Sequence, residues 1–339
     1  MLRLPRNTIL VFTHAGLGNR MLAIGTAIEL GRSIGKDVHI LWGSIKGGGN
    51  SAGCHFKDLF EISDGLKVIE QYWWHSPKLL LDRSAQDRPA TSPDRLEFRR
   101  YERLGSPRER DVRIERDFRA NWRPLPDWRR RLHARIKALL SRRYWGIDAV
   151  LWVMFRGYFD PAEADKLRDR RCIYVEAGHQ FFPRPFEFGQ AWDHLVPIKP
   201  IRDEVSSIAS RFGRRTVGVH IRRGDTVDMP ARFSPTERFV RLMEDEIARD
   251  DGVRFYLATD SEQELAALTA RFGDRIIAQA TAHRAKRSDV AGLRAALVDM
   301  YTLARTNKII ASFNSSFSYL AASIGQTEYH AVDAQESEP

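Results

Sequence analysis

Two adjacent arginines mark the stretch of this chain that is best suited to chemistry, Thr216–Val227 or TVGVHIRRGDTV. Its first half is short, β-branched and apolar, which predicts a buried parallel strand. Arg222 and Arg223 follow at the carboxyl end, where the ligand crevice of an open α/β sheet lies. Guanidinium groups bond anionic oxygens bidentately, so the pair is suited to a phosphate or diphosphate. The alternative is a salt bridge at the edge of the sheet.

The two arginines are expected to have different partners. Neighbouring side chains of a strand point to opposite faces, so only one arginine is expected to meet the ligand. The other is expected to be held by a carboxylate, and Asp225 is the candidate for that structural role.

Two further strand ends carry polar triplets. Thr259-Asp260-Ser261 follows the next predicted strand, and Asn314-Ser315-Ser316 lies where a third strand meets a helix. Hydroxyls and free amides at a helix start form an anion nest, although an ordinary N-cap explains each triplet alone. Together the three ends predict a diphosphate site that Asp260 and Asn314 help to shape. No acidic pair stands where it would hold Mg²⁺ against a diphosphate, so no metal is expected.

The amino-terminal part begins with a strand at 7–12, the turn HAGLGNR, a helix at 21–33 and a strand at 38–42. The turn lacks the GxGxxG spacing and a following GK[ST], which argues against a dinucleotide fingerprint and a Walker loop. Its glycines still allow the backbone to approach a ligand closely. A plain tight strand–helix turn is the alternative.

The second half alternates regularly between helix and strand patterns, which predicts a parallel, doubly wound sheet. Ser234 and Ser261 are the predicted N-caps of two of its helices. The predicted helices span 201–212, 234–250, 262–272, 290–305 and 319–324, and the predicted strands span 216–221, 253–258, 275–277, 308–312 and 328–332.

Length and composition predict two domains. The chain has 339 residues, 43% of them apolar, and four prolines in 181–200 indicate an interdomain connection. We therefore expect an α/β protein with two Rossmann-like domains facing a cleft. The first domain is placed at 1–195, with a basic insertion at about 78–145, and the second at 196–339.

The lack of a recognisable signal peptide or membrane span in the sequence, together with the two cysteines, favours a cytoplasmic enzyme. The apolar run at 9–12 is too short for a signal peptide, and no run of 18 apolar residues could span a membrane. Cys54 and Cys172 fit a reduced compartment and form no zinc motif.

The net charge of +10 is concentrated in one segment. Residues 78–143 hold 20 basic and 10 acidic residues, a balance equal to that of the whole chain. The acids alternate with the bases, which argues against a nucleic-acid track and favours a solvated face or peripheral contact with the inner membrane face. A basic amphipathic helix is predicted at 128–140.

Three ordered motifs resemble those of the GDP-fucose-dependent fucosyltransferases, a superfamily with α1,2-, α1,6-, protein O- and nodulation members. They are HIRRGD, LATDSE and DMYTLARTNKIIASFNSSFS, and HAGLGNR is similar to the amino-terminal glycine motif of the same enzymes. The resemblance covers about 7–42 and 200–325 and is absent from the basic middle, which would carry acceptor specificity.

The resemblance implies a GT-B fold and an inverting, metal-independent transfer of fucose from GDP-fucose to a hydroxyl of a glycan or glycolipid acceptor. No cofactor besides the donor is implied. The alternatives are a GT-B enzyme that uses another nucleotide sugar, and a non-enzymatic RNA- or membrane-surface-binding protein on the same scaffold.

The resemblance also implies roles for single residues. Arg222 would bond the β-phosphate and stabilise the leaving GDP, and Arg223 would be structural or touch the phosphate from the other side. The other implied donor-binding residues are His220, Asp299, Ser315, Ser316, Gly16, Gly18 and Asn19. The α1,6-type members place a glutamate base after the arginine motif, where this chain has Met229 and Pro230. His14 and Asp228 are therefore the two candidate bases.

Overall fold

The structure is a computed structural model of the chain. It describes residues 6–13, 16–43, 53–62, 66–71, 149–153, 161–178, 189–223, 234–280, 289–313 and 315–332. The basic middle segment, including the predicted helix at 128–140, lies outside these ranges.

A five-stranded parallel sheet forms from the amino-terminal part of the chain. Its strands are β1 (Thr8–Thr13), β2 (Asp37–Gly43), β3 (Lys67–Gln71), β4 (Ala149–Val153) and β5 (Cys172–Ala177), in the order β3-β2-β1-β5-β4. Helix α1 (Leu17–Ile34) connects β1 to β2, and a 3₁₀ helix (Pro161–Leu167) precedes β5. Every residue of β1 is buried, as expected for the central strand of a sheet covered on both faces.

A second five-stranded parallel sheet forms from the carboxyl-terminal part. Its strands are β6 (Thr216–Ile221), β7 (Arg254–Thr259), β8 (Ile276–Ile277), β9 (Lys308–Ser312) and β10 (Glu328–Val332), in the order β10-β9-β6-β7-β8. Its helices are α2 (Gly189–Trp192), α3 (Lys199–Ala209), α4 (Thr236–Arg249), α5 (Glu262–Phe272), α6 (Val290–Leu303) and α7 (Ser316–Gly325), with a 3₁₀ helix at Gly273–Arg275. Another 3₁₀ helix, Phe56–Asp58, lies between β2 and β3 in the chain.

Strand β6 is the centre of the second sheet, and its two faces meet different helices. Val217, Val219 and Ile221 lie in an apolar cluster with Phe239 of α4 and Leu268 of α5. A Cβ atom at Gly218 would lie 2.8 Å from the side chains of Leu303 and Thr306, so the other face packs closely against the end of α6. Because neighbouring side chains of a strand point to opposite faces, the odd-numbered positions of β6 face α4 and α5, and the even-numbered positions face the other side of the sheet.

The order of the second sheet reverses at β6. The chain proceeds from β6 to β7 and β8 on one side and returns to β9 and β10 on the other. In open α/β sheets ligands bind at this switch point, outside the carboxyl ends of the strands. A ligand is therefore expected at the ends of β6 and β9, which carry Arg222 and the serines after Ser312.

Most predicted elements of the second half are present, with ends that differ by a few residues. Strands 216–221, 308–312 and 328–332 have the predicted bounds, and α5 has the predicted Ser261 cap. The prediction that Ser234 caps α4 is wrong, because Pro235 occupies the N-cap position with no side-chain cap. The buried Ser234 hydroxyl instead donates to Val332 O at 2.7 Å and accepts from Phe313 N at 2.8 Å.

Contacts divide the chain into two compact units, and the second takes in parts of the amino-terminal sequence. It comprises Gly16–Leu22, Ala52–Asp64 and Arg184–Pro339, and the first comprises Met1–Ala15, Ala23–Ser51 and Gly65–Pro183. Within the second unit, Phe60 forms an isolated bridge with Pro197, and Arg294 Nε donates to Asp58 O at 2.8 Å.

Candidate functional site

Arg222 lies directly after β6, at the switch point of the second sheet. Its backbone N–H donates to Ser312 Oγ at 3.0 Å, which joins the carboxyl end of β6 to that of β9. The residue is half-buried. The strand end is thus fixed at the edge where an anionic ligand of such a sheet binds.

Arg223 is enclosed by hydrogen bonds to neighbouring elements. Its backbone N–H donates to Asp260 Oδ1 at 2.6 Å, and its Nε donates to Glu264 Oε1 at 2.7 Å. A terminal nitrogen donates to Thr236 Oγ1 at 3.1 Å. The carboxylate that holds this guanidinium therefore belongs to Glu264 in the first turn of α5.

His220 is buried beneath the start of α7. Its Nδ1 lies 3.2 Å from Ser318 Oγ and 3.4 Å from Ser315 Oγ, and its ring stacks on Phe317 with centroids 4.9 Å apart. These contacts connect the even-numbered face of β6 to the first turn of α7.

The serines after β9 are arranged as a helix start. Ser315 is the N-cap of α7 and accepts a hydrogen bond from Ser318 N, whereas Ser316 is the first helical residue and is half-buried. The first amides of a helix have no intrahelical acceptor and carry the positive end of the helix dipole. An anion beside Arg222 would therefore meet these amides as well as the guanidinium.

The glycine turn packs on the same helix start. A Cβ atom at Gly18 would lie 3.1 Å from Phe317 Cα and 3.2 Å from Phe317 N, so the backbones of α1 and α7 nearly touch there. Gly16 is exposed and Asn19 is half-buried. Burial lowers the pKa of Arg20 to about 10, which leaves this buried side chain protonated at neutral pH.

Asp299 lies on α6 and is half-buried. Its Oδ1 accepts a hydrogen bond from the hydroxyl of Tyr256, in the middle of β7, at 2.6 Å. Its predicted contact with guanine or ribose stays a prediction.

The second unit therefore brings together most of the predicted residues that the structure describes. The residues at the carboxyl ends of β6 and β9 are Arg222, Arg223, His220, Ser315 and Ser316. Asp260 accepts from the backbone N–H of Arg223, and Gly18 of α1 packs against the start of α7. Four predicted residues lie outside the described ranges, namely His14, Asp225, Asp228 and Asn314.

Sequence reasoning missed Glu264, Thr236, Ser312 and Phe317. One available signal was the spacing Ser261-x-x-Glu264, which is typical of a capping box and so suggests a purely local role for the glutamate.

Within the ranges that the structure describes, no three His, Cys, Asp or Glu side chains are grouped closely enough to hold a metal ion. Among the helices placed by the structure, none is both long and apolar enough to cross a membrane.

The fold is similar to that of fucosyltransferases of known structure. NodZ α-1,6-fucosyltransferase, from a crystal soaked with GDP-fucose, aligns with a TM-score of 0.50 and 15% identity over 95% of this chain and 93% of that chain. A FUT1 mutant from Arabidopsis thaliana in complex with GDP aligns with a TM-score of 0.54 and 11% identity over 96% and 70%. No protein-family model and no curated protein sequence matches this chain. The predicted α/β fold class of GT-B type is confirmed.

Proposed function

We propose that this protein is a glycosyltransferase that moves fucose from GDP-fucose to a hydroxyl group of a glycan acceptor. The observation that carries the proposal is the position of Arg222, at the switch point of the second sheet and hydrogen-bonded to the end of the strand that leads into α7. Two solved enzymes with this fold were studied with GDP-fucose or GDP, which supports the same donor here.

The chemistry follows from where charge develops during transfer. As the bond between the anomeric carbon and the β-phosphate oxygen breaks, negative charge accumulates on the departing diphosphate. A guanidinium and helix-start amides that are already in place stabilise this charge without reorganisation. In this proposal Arg222 binds the β-phosphate, the first turn of α7 binds the same anion, and no metal ion takes part.

The acceptor hydroxyl attacks the face of the anomeric carbon opposite the leaving group, so the configuration inverts. The hydroxyl proton must pass to a base, for which His14 and Asp228 are the sequence candidates. Alanine at the true base is expected to lower the transfer rate by about 10²–10⁴-fold and to affect GDP affinity much less. Single-turnover rates of the two variants distinguish the candidates, and equal rates for both variants and wild type would exclude them.

The donor site is tested by calorimetry of GDP and GDP-fucose with wild type and Arg222→Ala, in the presence of a chelator. Loss of a charge-assisted hydrogen bond costs about 1.5–3 kcal/mol, so the variant should bind GDP about 10- to 100-fold more weakly. Arg254→Ala is the matched control, because Arg254 is the first residue of β7 and so lies at the end of the strand remote from the proposed site.

Absence of GDP binding by wild type, or a need for a divalent cation, would overturn the corresponding part of the proposal. Competition with other nucleotide sugars then tests which sugar the donor carries. A nucleotide sugar that displaces GDP better than GDP-fucose does would identify a different GT-B transferase.

A further inference from the structure

Glu264 lies in the first turn of α5 and directs its carboxylate out of its own helix. Its Oε1 accepts from Arg223 Nε at 2.7 Å, and both side chains are mostly buried, with 12% and 16% of their surface exposed. The other oxygen, Oε2, is buried and makes no hydrogen bond within the part of the chain that the structure describes. A buried carboxylate is costly unless it is paired, so this geometry depends on Arg223.

A local capping role does not account for Glu264. In a capping box the glutamate would accept from the N–H of Ser261, three residues earlier. That N–H instead donates to Thr259 Oγ1 at 3.2 Å, and only the reverse half of the box, from Glu264 N to Ser261 Oγ, is present. The carboxylate serves a residue 41 positions away in the chain.

Thr236 closes the arrangement from the start of α4. Its hydroxyl donates to Glu264 Oε1 at 2.7 Å and accepts from the Arg223 guanidinium at 3.1 Å. The three side chains form a closed triangle between two helix starts, and the guanidinium is fixed at two of its nitrogens.

The third nitrogen acts on Arg222. Arg223 Nη1 donates to the carbonyl oxygen of Arg222 at 3.2 Å. The N–H of Arg222 is held by Ser312 and that of Arg223 by Asp260. The peptide that carries Arg222 is therefore fixed by β9, by the end of β7 and, through Arg223, by α4 and α5.

The two arginines consequently face opposite sides of the sheet. Arg223 extends between the starts of α4 and α5, on the side of Val219 and Ile221. Alternation places Arg222 on the side of His220, where α7 begins.

We propose that Glu264 is a positioning residue of the diphosphate site, which acts on Arg222 through Arg223, and that Arg223 does not itself bind the donor. The inference rests on the proposed function, because it takes Arg222 as the group that binds the diphosphate. Glu264 and Thr236 keep Arg223 in place, and Arg223 keeps the Arg222 peptide in the orientation that directs its side chain to the ligand.

The test is a double-mutant cycle on GDP affinity, measured by calorimetry in the full chain. Glu264→Ala should weaken GDP binding about tenfold when Arg222 is present, the loss typical of a removed supporting contact. In the Arg222→Ala background the same substitution should change the affinity less than about twofold, since coupled residues are not additive.

Matched variants separate positioning from general effects. Glu262→Ala removes an exposed carboxylate from the same helix turn and should leave GDP affinity unchanged. Glu264→Gln keeps an acceptor for Arg223 and should recover most of the affinity. Thr236→Val, which preserves side-chain shape, should weaken binding about threefold and gives the answer if Glu264→Ala does not fold.

Three results would overturn the inference while wild type still binds GDP. They are an unchanged affinity in Glu264→Ala, an equal loss in both Arg222 backgrounds, and an equal loss in Glu262→Ala. Failure of wild type to bind GDP is a different result, which overturns the proposed function and this inference together.

Discussion

Arg222 and Arg223 have different surroundings because neighbouring side chains of a strand point to opposite faces of the sheet. Arg223 is surrounded by a carboxylate, a hydroxyl and a carbonyl oxygen, whereas Arg222 is fixed through its backbone and lies beside a helix start. The carboxylate of Glu264 neutralises the Arg223 guanidinium, which weakens the attraction of that side chain for a second anion. Position along the strand therefore decides which elements each arginine meets.

The close contact of Gly18 with the start of α7 predicts that a larger residue there destabilises the protein. Alanine there would place a methyl group 3.1–3.3 Å from backbone atoms of Ser316 and Phe317, which cannot rotate away. Overpacking costs about 1–3 kcal/mol, and the gain in helix propensity returns at most about 1 kcal/mol. We expect Gly18→Ala to lower the free energy of unfolding by about 1 kcal/mol, measured by chemical denaturation.

Gly16→Ala is the control for this measurement, since among the described residues none apart from its chain neighbours has an atom within 4 Å of a Cβ placed at Gly16. Its stability should change by less than about 0.5 kcal/mol. Equal losses in the two variants would show that contact with α7 does not determine the requirement for glycine.

At the scale of elements, the sequence predicts strands better than helix starts. β6 and β9 are short, β-branched and apolar, so their limits follow from local pattern alone. Helix α7 was predicted to begin at residue 319 but begins at Ser316, because Ser315 caps it and contacts the buried His220. The predicted Ser234 cap fails for a similar reason, since its hydroxyl is bonded to Phe313, directly after β9, and to Val332 at the end of β10.

The candidate site could be predicted in part, for physical reasons. Residues that follow strand ends are recognisable in a sequence, and parallel strands bring their carboxyl ends to one edge. Glu264 and Thr236 could not be found in this way. Their partner is separated from them by 41 and 13 positions, and no local pattern records such a contact.

For the molecule as a whole, His39 predicts how stability depends on pH. This histidine lies on β2, and burial, together with the nearby positive charge of Lys67, lowers its pKa below the ordinary value of 6.5. The unfolded chain therefore binds the His39 proton more readily than the folded chain. The contribution of neutral His39 to the free energy of unfolding is present above pH 6.5 and is lost as the pH decreases below that value.

The corresponding measurement is chemical denaturation of wild type and His39→Gln between about pH 7 and pH 5. The wild-type unfolding midpoint should decrease as the solution becomes more acidic, and the variant should show a shallower decrease. Parallel curves for the two proteins would mean that the acid sensitivity arises elsewhere.

The contact between Gly18 and Phe317 cannot form until late in the synthesis of the chain. A ribosome that adds about 5–20 residues per second needs roughly 15–60 s to translate the sequence between these two residues. Throughout that interval the glycine turn has been made but the helix it covers has not. Contacts between such distant positions carry the largest loop-closure cost and form late. The start of α7, where the nucleotide is proposed to bind, is therefore expected to be among the last parts of the protein to assemble.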